Sequence, residues 1–161
     1  MTSKKSVPEV FEPEFLALFR DIYENKIVFN KVLGLKVLEI SPQGRVRASI
    51  EMRQDLVGHF AYNRIHGGVI SAALDAIGSA AVMAALTARH MDEAPSKRVE
   101  RFAKLGTIDL RVDYLRPGIG EHFTIHAECL RVGSRVGSAR MEFRGPDGTL
   151  MSSGAAAYIV S

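Results

Sequence analysis

HGGVISAALDAIGSAAVMAALTA, residues 66–88, carries one charged side chain between Val69 and Ala88, that of Asp75. Twenty such residues match the length of a membrane span. The composition argues against one. The run is built mainly from Ala, Gly and Ser, and an aspartate near a span's centre costs about 2.5–3.5 kcal/mol on insertion scales. The stretch therefore reads as the buried helix of a soluble protein, beginning near Gly68 and ending near Ala88.

Outward from this helix the pattern changes period. Before it, Phe15, Leu18, Phe19 and Ile22 fall at i, i+3, i+4 and i+7, which predicts an amphipathic helix over 13–27 opened by Pro13. Two strands follow, near 35–40 and 45–52, joined by the turn Ser41-Pro42-Gln43-Gly44. Residues 54–66 read as an irregular loop, and the charged stretch 92–105 as a segment holding a short surface helix. After it, 107–114 alternate strictly, with Ile108, Leu110, Val112 and Tyr114 on one face and Thr107, Asp109, Arg111 and Asp113 on the other. Phe123, Ile125, Ala127 and Cys129 alternate next, then Gly137, Ala139, Met141 and Phe143, and a last strand spans 149–160. The order is one helix, two strands, one long helix and four strands. An antiparallel sheet wrapped around the apolar helix buries both, so the expected class is α+β with an extra N-terminal helix.

The length of 161 residues predicts one domain, 1–161, with 1–12 as a flexible N-terminus. Lys and Arg exceed Asp and Glu by 21 − 18 = 3, too little to argue for nucleic acid. The single cysteine, Cys129, excludes an intramolecular disulfide framework and reads as a small buried hydrophobe, which fits a reducing compartment. The five histidines show no metal-ligand spacing, and neither Gly118-Ile119-Gly120 nor the 133–137 stretch opens a helix after a strand. No metal and no cofactor are expected. There is no signal-peptide apolar stretch, because Pro8, Glu9, Glu12, Pro13 and Glu14 interrupt the N-terminus.

The start of the long helix carries the chemistry. Gly67 and Gly68 leave its first N–H groups uncovered by side chains, so partial negative charge can approach them closely. Helical spacing places Gly68, Ser71, Ala72, Asp75, Ser79 and Val82 on one face of small residues. Asp75 is out of place there, because an unpaired buried charge costs several kcal/mol. Either a basic residue pairs with it, or it lies on a wet face, or it is functional.

His66-Gly67-Gly68 with an aspartate nine positions after the histidine resembles the hotdog-fold acyl-CoA thioesterases of the PaaI type. Residues 106–118, GTIDLRVDYLRPG, look very like the YigI-type subgroup that acts on medium- and long-chain acyl-CoA. The resemblance covers roughly residues 14–160. It implies a hotdog fold and hydrolysis of acyl-CoA to fatty acid and CoA. Asp75 matches the family's general base or nucleophile, and Gly67 the glycine whose N–H polarises the thioester carbonyl. His66 matches a positioning histidine, and Thr107 a Ser/Thr that helps hold the water. Many members carry an asparagine six or seven residues before the paired glycines. Here His59 and Phe60 stand eight and seven positions before Gly67, with His59 as the stand-in, while Asn63 lies in a different register. Gly68, Asn63 and Ser71 are the substrate-side candidates near the helix, and Arg131 and Arg135 the candidates for the nucleotide of CoA. Lys97, Arg98, Arg101 and Lys104 form a second basic group that could also meet its phosphates, and for both groups a solvated face is the default.

The resemblance also implies a site shared by two subunits, and a magnitude agrees with it. Gly67 and Asp75 are eight residues apart, about 12 Å along a helix. An attacking water must lie about 3 Å from both its base and the electrophile. A homodimer, or a dimer of dimers, that pairs Gly67 of one chain with Asp75 of its mate removes the conflict. The partners expected are acyl-CoA and a second copy, with neither nucleic acid nor membrane, in the cytoplasm. A hotdog hydratase or dehydratase and a non-catalytic acyl-CoA-binding module are the rival readings.

Overall fold

Residues 9–161 are described by the structure, a computed structural model. Helix α1 (Pro13–Asp21), a π-helical turn (Ile22–Lys26) and α2 (Val28–Leu33) lead into strands β1 (Lys36–Ser41) and β2 (Arg45–Glu51). A short ladder of β3 (Val57–His59) and β4 (Arg64–Ile65) precedes the long helix α3 (Gly67–Thr87). Then come α4 (Pro95–Val99), a 3-10 turn (Glu100–Lys104), and β5 (Gly106–Tyr114), β6 (His122–Val132), β7 (Val136–Arg144) and β8 (Leu150–Ile159). Six strands form one antiparallel sheet in the order β1-β2-β6-β7-β8-β5, curved around α3. This is the expected α+β arrangement.

The wrap depends on small residues where helix meets sheet. Leu74, Ile77, Ala80, Ala81, Val82 and Met83 are buried against Val46, Ala48 and Ile50 of β2, Phe123 and Ile125 of β6, and Ala139, Met141 and Phe143 of β7. A Cβ on Gly137 would come within 2.4 Å of Val82, and one on Gly78 within 2.3 Å of the Tyr158 hydroxyl. Both glycines are therefore the condition for this close approach. The helix from Gly67 to His90 is long and apolar enough to cross a bilayer. Its apolar surface is spent on the sheet instead.

Four expectations are corrected. The helix expected over 13–27 is broken by the π turn and continues to Leu33, where Gly34 closes it in the left-handed region at φ 72°. Its buried stripe is an aromatic run, Phe11, Phe15, Phe19 and Tyr23, with successive ring centroids 4.4, 5.7 and 4.8 Å apart, and Leu18 lies beside it half-exposed. The loop expected over 54–66 contains the β3–β4 ladder. The strict alternation over 107–114 is interrupted by a bulge between Thr107 and Asp109, which leaves Ile108 57% exposed.

The fourth correction concerns the termini of two segments. Of the tail expected over 1–12, residues 1–8 lie outside the described residues, whereas Phe11 is buried and Glu12 pairs with Arg98. Arg98, read as part of a solvated basic group, is fully buried and lies 4.6 Å over the Phe15 ring. The pair ties α1 to α4. Glu12→Ala would strand a guanidinium that has no exposed surface, and it should lower the unfolding free energy by about 3–5 kcal/mol. Arg98→Met should cost less, because its apolar chain fills the slot and Glu12, 39% exposed, returns to water. Urea denaturation of both variants checks the order, and equal losses would contradict it.

Candidate active site

The first turn of α3 is built by its N-cap. His66 sits at φ −66° and ψ 136°, and its Nδ1 accepts from the Gly68 N–H at 2.8 Å. The neutral ring therefore carries its proton on Nε2. Among the described residues no protein acceptor meets the Gly67 N–H. One of the two glycine N–H groups is thus occupied by the cap and the other is left for a ligand.

Tyr114 of β5 covers this turn. Its hydroxyl donates to the Gly67 carbonyl at 2.9 Å, and a Cβ on Gly67 would stand 3.2 Å from its ring. The Ser71 hydroxyl donates to the same carbonyl at 2.9 Å, and it lies 3.3 Å from that of Gly68. By sequence alone Tyr114 is only one member of an alternating face. Its position on the strand whose opening threonine matches the family pattern was the available signal.

One turn and more along the helix, Asp75 faces a cleft of about 280 Å³. Thr107 donates its hydroxyl hydrogen to Asp75 Oδ1 at 2.9 Å. Among the described residues no basic side chain lies within ion-pairing distance of this carboxylate. Of the readings open for Asp75, pairing with a basic residue is removed. Ile27, Phe29, Phe102 and Leu105 give the cleft apolar walls, and Ala72, Ala76 and Ser79 give it a helix face of small residues. Ser71, grouped with that face by spacing, is instead committed to the helix backbone.

Two buried phenols support this part of α3. Tyr158 donates to the Asp75 backbone carbonyl at 2.9 Å, and the Tyr23 hydroxyl lies 3.2 Å from Ser79 Oγ. Burial pushes both phenols far above the ordinary range. The Asp75 charge adds to this, while the Ser79 hydrogen bond opposes it at Tyr23. Both remain protonated donors at any working pH.

The other candidates divide into two groups. His59, on β3, is exposed, with its ring centroid 5.8 Å from that of Phe60 and 4.9 Å from that of Tyr62. A Cβ on the preceding Gly58 would touch His66 at 2.6 Å, so the β3–β4 ladder lies against the start of α3. Asn63 takes φ 48° in its turn, a left-handed conformation that asparagine tolerates. His59, Asn63, His66, Gly67 and Gly68 are thus gathered at one end of α3. Arg131 and Arg135 are not with them. Their turn lies beside Arg89, which donates to the Val132 carbonyl, and Arg89 is about 33 Å from Gly67 by helical rise. Of the second basic group, Arg98 is buried and both Arg101 and Lys97 face Glu93. Cys129 is half-buried, and burial raises its thiol pKa.

Comparison with known proteins shows the family and the fold. The thioesterase superfamily pattern matches residues 62–152, which include the helix start, Asp75, Thr107 and Tyr114. The chain is 35% identical over 145 residues to the medium/long-chain acyl-CoA thioesterase YigI of Salmonella typhimurium, covering 90% of this chain and 93% of the relative. The Escherichia coli K12 protein of that name is 34% identical with the same coverage. A solved structure from Shewanella oneidensis, described as related to the thioesterase superfamily, superposes with a TM-score of 0.84 at 32% identity. It covers 94% of this chain and 100% of its own. With a sheet curved around α3 and a lone carboxylate facing a cleft beside it, the chain is a hotdog-fold member of the thioesterase superfamily.

Proposed function

We propose that the protein hydrolyses acyl-CoA thioesters of medium and long chain, without a cofactor, at a site shared between two subunits. The observation that carries this reading is Asp75, a carboxylate with no cationic partner among the described residues, oriented by Thr107 in an apolar cleft. Water held by Asp75 and Thr107 adds its oxygen to the thioester carbonyl carbon and gives its proton to Asp75. The oxyanion is met by the Gly67 N–H of the twofold mate. Collapse of the intermediate breaks the C–S bond, and the departing thiolate takes up a proton as the free acid forms. Attack by Asp75 itself, through a mixed anhydride later opened by water, uses the same residues. His66 keeps the helix start in shape, and His59 orients water or substrate. Arg131 and Arg135 meet CoA phosphates only by way of the partner or the outer surface. The working unit is a homodimer, or a dimer of dimers, in the cytoplasm.

Free-thiol release from acetyl-, hexanoyl-, decanoyl- and hexadecanoyl-CoA tests the reading. Decanoyl-CoA should exceed acetyl-CoA in kcat/KM, since each buried methylene contributes about 0.8 kcal/mol. Equal values would refute an acyl channel. Binding without thiol release would indicate an acyl-CoA-binding module, and water addition to an enoyl-CoA a hydratase.

His59 has its own test. His59→Ala should lower turnover less than loss of Asp75 does, and His59→Asn should recover part of the loss by restoring the amide common in related proteins. A His59→Ala enzyme as inactive as the Asp75→Asn enzyme would make His59 the base.

A further inference from the structure

Towards the core the cleft at Asp75 runs against buried groups, with Ser79, Asn30 and Tyr158 in its lining. One helical turn beyond Asp75, about 6 Å, Ser79 is held by the buried Tyr23 hydroxyl at 3.2 Å. Asn30, also buried, gives its amide to the Tyr23 carbonyl at 3.0 Å. This depth is too little for a long acyl chain laid along the helix. The outer side is open and apolar. Phe29 lines the cleft yet is 59% exposed, and Val32, 57% exposed, follows it by one turn on the same face of α2. Val28, 72% exposed, widens this ridge.

We infer that Phe29 and Val32 form an outer rest for the distal methylenes of a long acyl chain, so that the N-terminal helical segment sets chain-length preference. The inference rests on the hydrolase reading and extends it to a specificity surface. Two observations favour an acyl chain as the occupant. Phe29 belongs to both cleft and ridge, so the apolar surface runs unbroken from the Asp75 carboxylate outward. The ridge is also held in place. Arg53 donates to the Val32 carbonyl at 2.6 Å and the Leu33 carbonyl at 3.1 Å, satisfying the end of α2, whose Val28, Phe29 and Val32 side chains are exposed. An apolar patch fixed next to a site for an apolar substrate is a surface with a use.

The test compares kcat/KM for hexanoyl-, decanoyl- and hexadecanoyl-CoA in the wild type, Phe29→Ala, Phe29→Leu and the Phe29→Ala/Val32→Ser double variant, with Lys31→Ala, exposed on the same helix, as control. The double variant should lose about tenfold with hexadecanoyl-CoA, the burial of roughly two methylenes, and less than twofold with hexanoyl-CoA. The loss should fall on KM rather than kcat. Phe29→Leu should keep most of the wild-type profile, and Lys31→Ala all of it. A loss equal at every length, or no loss at all, would overturn the inference. So would dissociation of the assembly in sedimentation with an unchanged profile, which would make the ridge a subunit contact. A wild type inactive on every thioester would instead remove the hydrolase reading. Calorimetric binding of hexadecanoyl-CoA to wild type and double variant would then still report on the ridge.

Discussion

Asp75→Asn is expected to lower kcat by at least a hundredfold, the range associated with losing a general base. The amide has the shape of the carboxylate, and its oxygen can still accept the Thr107 hydroxyl hydrogen that now goes to Asp75 Oδ1. No cation is left unpaired, because none faces Asp75 among the described residues. The fold should therefore survive, and unchanged urea denaturation would separate lost chemistry from lost structure. Steady-state thiol release is the measurement. Near-wild-type turnover would mean that Asp75 is a structural charge.

The second large effect is at Gly67. Gly67→Pro deletes the one N–H of the first turn that meets no protein acceptor among the described residues, and it does so where helices accept proline. His66 already has the extended ψ of 136° that suits a residue before proline. The new Cβ would stand 3.2 Å from the Tyr114 ring, and Tyr114, 55% exposed on an edge strand, has room to yield. Removing one oxyanion donor lowers kcat by about 10²–10³. Mixing then decides where the site lies. Gly67 and Asp75 share one helix at about 12 Å separation, too far for one water to serve both. If each site takes Gly67 from one subunit and Asp75 from the other, a heterodimer of Gly67→Pro and Asp75→Asn chains has one intact site. A random mixture of two inactive proteins should then regain roughly a quarter of wild-type activity, half of the dimers with half of their sites. Absence of recovery in dimers known to have exchanged, or a stable active monomer in sedimentation, would place the whole site in one chain.

Local pattern was enough for the long helix and the strands of the main sheet, and it singled out Asp75, whose role only the family resemblance supplied. The Ala/Gly run from Val69 to Ala88 announced a helix meant to be surrounded, and the period-two alternation of β6 and β7 announced the strands that surround it. The spacing of Gly67, Gly68 and Asp75 follows from helical geometry alone, so it was legible before any contact was known. Tertiary structure decided what period and charge do not encode. A one-residue bulge at Ile108 turns Thr107 to the same side as Tyr114, although the two differ by an odd number of positions. Nothing in an alternating sequence marks such an insertion in advance, because it depends on how β5 and β8 are aligned. Arg98 reads as solvated by composition and is buried because Glu12, 86 residues earlier, meets it. Phe29 reads as one more apolar residue, and only the packing of α2 beside α3 makes it a wall of the cleft. Periodicity is a property of neighbours along the chain, whereas burial, pairing and the shape of a cleft are set by residues that folding brings together from far apart in sequence.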